Sequence, residues 1–111
     1  MNKILVEVSV GELLDKISIL EIKKDKIKDS EKLKFINDEY QVLKDQLDKN
    51  VKSDLKLENL CKSLKEINSK LWMIEDQKRM CEKNSDFKEN FIKLSRDVHF
   101  LNDKRAKIKL E

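Results

Sequence analysis

An all-α fold, a small bundle of about four helices ending in a long antiparallel hairpin, follows from three observations. The chain has no proline and a single glycine in 111 residues, too little punctuation for the turns of a β-rich fold. Charged residues make up 42% of it, a share that solvated helix faces carry easily. Its apolar residues recur at spacings of three and four over long stretches, above all from Leu55 to Glu82, which is the periodicity of helices with apolar seams. At this length a single domain, 1–111, is expected, large enough to bury a core of its own.

The first element is the exception to helix. Ile4, Val6 and Val8 alternate with Leu5 and Glu7, which predicts a short strand or extended arm over 1–8. No second strand candidate follows it. Ser9 and Glu12 then form a capping box, with Ser9 accepting from the Glu12 amide and Glu12 reaching back, and Val8 and Leu13 able to staple the entry. The first helix, 10–28, carries Leu13, Ile17, Leu20 and Ile27 on one stripe and Ile19 and Ile22 on the opposite side, so two of its sides call for partners.

Asp29 and Ser30 offer a new N-cap where the apolar phase slips, so a break or sharp kink is expected before a second helix, 30–49, on Leu33, Ile36, Tyr40, Leu43 and Leu47. One continuous helix of some 40 residues is the alternative. After the polar segment Asn50 to Asp54 comes the longest helix, 55–82. Its seam of Leu57, Leu60, Leu64, Ile67, Leu71, Ile74 and Cys81 is interrupted only by Lys78. Trp72, Met73 and Met80 lie about 100 to 200° around the wheel from that seam. Asp86 is then expected to cap a fourth helix, 87–110, with Glu89 at its third position and a seam of Phe87, Phe91, Leu94, Val98, Leu101 and Ile108 interrupted by Arg105. So short a loop folds two long helices into an antiparallel, coiled-coil-like hairpin. Arg105, at a seam position, must snorkel its head to solvent or meet an acid of the facing turn, for which the register favours Glu58.

Charge and cysteines narrow the function classes. The formal net charge of +3 comes from 25 basic and 22 acidic residues mixed along the chain, which does not make the concentrated basic stripe of a nucleic-acid-binding protein. The densest basic stretches, Lys23 to Lys28 and Lys104 to Lys109, lie near helix C-termini, where cations favourably meet the dipole. Arginine occurs only at positions 79, 96 and 105. Cys61 and Cys81 are twenty residues apart on one helix, about 30 Å, so they do not bridge each other and suit a reducing compartment. Glu7 interrupts the N-terminal apolar run before a signal-peptide core is complete, and no run approaches the roughly 20 residues of a membrane span. A cytoplasmic protein without membrane insertion is expected.

The segments VSVGELLDKISILEIK from Val8, LWMIEDQKRMCE from Leu71, FIKLSRDV from Phe91 and NDKRAKIK from Asn102 resemble a family of short bacterial proteins classed as a domain of unknown function. The resemblance covers nearly the whole chain. It implies a compact helical module and carries over no activity and no assigned site. Where that family often has proline after the aspartate between the first two helices, this chain has Ser30.

Few chemistries find residues here. One histidine, His99, and two separated cysteines do not make a zinc site, and there is neither a Gly-rich phosphate loop nor a nucleophile elbow. Carboxylate pairs such as Glu12 with Asp15, or Glu75 with Glu82, could hold Mg²⁺ as in small helical nucleotide pyrophosphohydrolases, but 22 acids supply such pairs by chance. A chorismate-mutase-like protein would need arginines in its first helix to grip a dicarboxylate, and none precedes Arg79. The sharpest constellation lies away from the hairpin seam. Trp72, Asp76, Arg79 and Met80 share one side of the third helix, and Arg96, His99, Phe100 and Asp103, with Ile92, share one side of the fourth. Mixed aromatic, arginine and acid surfaces are common at protein interfaces, although packing on the first two helices and neighbouring-turn ion pairs would account for the same residues. The hairpin alone does not bring the two sides into one pocket. A non-catalytic binding or assembly module is therefore expected, with no cofactor or metal and with an enzyme as the alternative. A homodimer is expected too, with Ile4, Val6, Val8, Ile19 and Ile22 as its candidate interface.

Overall fold

A computed structural model describes residues 3–110 and contains four helices: α1 (Val10–Lys26), α2 (Ser30–Asn50), α3 (Leu55–Lys83) and α4 (Glu89–Leu110). Each of the first three begins at a side-chain cap. Ser9 accepts from the Glu12 amide at 3.1 Å, Asp29 from those of Glu31 and Lys32 at 2.9 and 3.2 Å, and Asp54 from that of Leu57 at 2.7 Å. These bonds satisfy amides that a helix leaves without partners at its start. The break between α1 and α2 is present, with Ile27 and Asp29 both extended. α4 begins two residues later than its spacing predicts, because the Asp86 carboxylate takes the Lys88 amide at 3.3 Å inside the turn.

The turn before α4 has a feature that the apolar pattern does not announce. Ser85 adopts φ 54°, the left-handed region, while the Ser85 amide donates to the Glu82 carbonyl at 3.2 Å and the Asp86 amide to that of Cys81 at 2.8 Å. This is a Schellman closure with serine where glycine is the usual occupant.

No strand occurs among the described residues. Residues 3–9 have no regular secondary structure and are exposed, with Ile4 84% and Val6 73% accessible. Alternation gives a segment a strand's two faces, but a ladder requires a second backbone edge, and none is offered to it here.

The helices form two crossing pairs. α3 and α4 make the antiparallel hairpin, α2 folds back on α1, and α1 packs on each of the other three helices. The core lies where the pairs cross, around Leu14, Ile17, Leu47 and Leu64. Ile22 is buried within the chain at 4% exposure and Ile19 is half-buried, so the second side of α1 is largely covered without a second subunit. That corrects the placement of Ile22 in a dimer interface. Among the described residues no helix is long and apolar enough to cross a membrane.

Candidate functional site

Two regions carry the polar and aromatic residues of interest. The first is built at the crossing. Glu12, Asp15 and Ser18 recur at a spacing of three on α1, so they share a face, and that face runs from α4 onto α3. Lys109 Nζ lies 3.0 Å from Glu12 Oε1 and 3.9 Å from Asp15 Oδ2. Asn68 Nδ2 donates to Asp15 Oδ1 and to Ser18 Oγ, both at 2.8 Å, and the Ser18 hydroxyl donates to the Asp15 carbonyl at 2.7 Å. The remaining amide oxygen of Asn68 accepts from an Arg105 guanidinium nitrogen at 3.1 Å. Asp15, Ser18 and Asn68 are all buried.

Arg105 therefore neither snorkels freely nor meets Glu58, which is exposed. Its head is half-buried on the Asn68 amide, a neutral acceptor already polarised by its bonds to Asp15 and Ser18. Nor does Glu12 complete the capping box. Its carboxylate goes to Lys109, where a full opposite charge replaces a backbone amide as partner. Gly11 explains how α4 comes so near: a methyl group there would overlap the Lys109 carbonyl oxygen, and Lys109 Cα would lie 2.8 Å from it. The chain's single glycine is thus the point where two helix backbones touch.

No buried side-chain nitrogen or oxygen among the described residues lacks a partner, so the cluster is closed on itself. Glu12 and Asp15, the pair that could have taken Mg²⁺, are occupied by Lys109 and Asn68. No three His, Cys, Asp or Glu among the described residues gather as a metal site. What this arrangement does is position: it sets α1 at one place across both α3 and α4.

Nearby, Lys65 Nζ lies 3.0 Å from Glu21 Oε2, and that hydrogen bond holds its pKa above the usual 10.5. Burial likewise pushes the half-buried Cys61 thiol above its ordinary 9.0, which disfavours the reactive thiolate. Both cysteines are free.

The second region is the part of the hairpin beyond the crossing. Trp72 is half-buried, Met80 is 54% exposed, and Asp76 and Arg79 pair with each other on the surface at 2.6 Å. On α4, His99 and Asp103 lie 3.7 Å apart, and Arg96 stands over the Phe100 ring at 5.9 Å. Arg96, His99 and Phe100 border one shallow depression together with Phe91, Ile92 and Ser95. A groove of about 400 Å³ joins α3 to α4 between Met73, Ile74 and Gln77 on one side and Asp97, Phe100 and Leu101 on the other. Of the residues that the sequence places on the candidate interaction surface, Phe100 lines that groove. Trp72, Asp76 and Arg79 line neither it nor the depression. Near the tip Lys78, the cation that interrupts the α3 seam, stands 5.6 Å from the centre of the Phe91 ring, which itself meets Phe87 edge to face at 5.4 Å.

Sequence reasoning missed Asn68 and Gly11. The available signals were an asparagine beside Ile67 in the seam of α3, an arginine in the facing seam, and a glycine inside the first turn of a helix, where it costs about 1 kcal/mol unless something needs its missing side chain.

A family model described as "Family of unknown function (DUF6165)" matches residues 4–111. No curated protein and no solved structure matches the chain.

Proposed function

This chain belongs to the family of unknown function DUF6165, whose description assigns no reaction, and we propose that it is a non-catalytic helical binding or assembly module that acts as a homodimer. The observation that carries this is the outward side of the hairpin. Met73, Met80, Ile92 and Phe100 are 54 to 57% exposed there, and Met73 and Phe100 border a groove of about 400 Å³ between α3 and α4. Isolated apolar side chains on a surface mean little, whereas a run of them bordered by mixed charges marks a contact site. The polar residues best placed for acid–base chemistry are instead bonded to one another inside the crossing. The exposed Ile4, Val6 and Val8 of the N-terminal segment add a further apolar surface for a partner.

Light scattering coupled to size exclusion at about 10 μM tests the proposal, with a mass near twice 13.2 kDa expected. A monomer mass at that concentration and at tenfold higher would sink the homodimer.

A further inference from the structure

Resting on the homodimeric assembly proposed above, we infer that the second copy docks on the α3–α4 groove around Met73 and Phe100, hairpin against hairpin, and not on the N-terminal segment. The first support is where the groove lies. Asn68 points its amide at α1, and Met73 and Gln77 lie about 140 and 180° around the helix from it. The groove is therefore on the side of α3 turned away from α1, and α2 has its close backbone contacts with α1 and none with α3 or α4, meeting α3 through side chains at the core around Leu47 and Leu64. No helix of the same chain covers it.

The second support is area. Met73 and Phe100 line the groove and Met80 lies two turns further along the same side of α3 as Met73; each rather more than half exposed, they offer roughly 100 Å² of apolar surface apiece, about 300 Å² in all. A stable dimer takes about 800 Å² per partner, somewhat over half of it apolar. The patch therefore supplies about two thirds of the apolar share that a full dimer interface contains, more than a small ligand would use.

Charge is the third. Lys70 and Asp97 both border the groove, and among the described residues neither has an ion-pair partner. A two-fold axis brings the same patch against itself, so a self-complementary surface must carry both signs around its apolar centre. A strongly acidic or basic partner would call for one sign, and this rim has both.

The test uses the full chain. Met73→Glu and Phe100→Glu, at exposed positions, are expected to leave far-UV circular dichroism unchanged and to weaken the dimer at least tenfold, giving a monomer mass at 10 μM. Lys70→Glu and Asp97→Lys are each expected to weaken it less, and the K70E/D97K double variant to regain most of the loss, since the swap restores opposite signs. A dimer that persists in both glutamate variants overturns the groove as the interface while leaving homodimeric assembly standing. So does a dimer that survives them but dissociates on deletion of residues 1–8. A wild-type chain that is monomeric at 100 μM overturns both this inference and the proposal beneath it.

Discussion

The two ends of α3 belong to one continuous helix with one apolar seam, yet they live in different surroundings. From Leu57 to Asn68 the helix is crossed by α1, meets the C-terminal end of α4, and buries Leu64 completely. From Leu71 to Lys83 it has the α4 side of the hairpin for company, and only Leu71 and Cys81 are buried there. At the crossing even polar groups go inside, because Asp15, Ser18, Asn68 and Arg105 satisfy one another. On the outer arm apolar groups remain outside, because no third layer covers them. Burial is therefore decided by how many layers arrive at a given level of the helix and much less by the heptad pattern, which is similar at both ends.

Core truncation should expose this difference most strongly. Leu64→Ala is expected to cost about 3 to 5 kcal/mol, since a site enclosed by three layers cannot collapse around the cavity. Leu94→Ala on the arm should cost about 2 to 3 kcal/mol, because two helices can close on the gap. Equal losses in urea melts at a concentration that keeps association constant would break the comparison.

Removing the crossing's polar centre comes next. Asn68→Leu keeps the volume but leaves the Asp15 carboxylate, the Ser18 hydroxyl and the Arg105 guanidinium each short of a partner, at an expected cost of about 2 to 4 kcal/mol. Breaking the surface pair on the arm with Arg79→Ala should cost under about 1 kcal/mol by the same denaturation. If Asn68→Leu proves neutral, the network is an incidental consequence of packing.

Gly11→Ala distinguishes backbone contact from helix propensity. In an open helix the change would gain about 0.5 to 1 kcal/mol; against Lys109 it should lose about 1 to 3 kcal/mol as α1 and α4 move apart. Thermal melts that show a gain would place open space where the close approach is described.

The smallest effect belongs to the tip of the arm. Ser85→Gly relieves a left-handed residue and is expected to add about 0.5 to 1 kcal/mol. The increase should be measurable as a higher urea midpoint with unchanged slope. A loss would mean that the serine side chain contributes more to the turn than its backbone strain costs.

Local rules made the helices legible in the sequence by itself. Ser9, Asp29 and Asp54 each act on amides two or three residues away, and the three-and-four spacing of Leu57 to Cys81 repeats within a turn, so the number of helices, the break at Asp29 and the hairpin needed no knowledge of the fold. That Met80, Arg96 and Phe100 lie off the seam was legible for the same reason, but whether the first two helices cover them was not, and Met80 and Phe100 are exposed. Tertiary structure alone decided the rest. Asn68 meets Asp15 across 53 residues and Arg105 across 37, and no spacing rule connects them. Gly11 could be read as part of a cap until Lys109 came against it. Ile22 could be read as an interface residue until the chain's own packing buried it. Ile4 to Val8 had a strand's alternation without a second edge to pair with. Capping and periodicity act over one or two turns, whereas a buried polar bond or a backbone contact exists only once two helices have been brought to the same place.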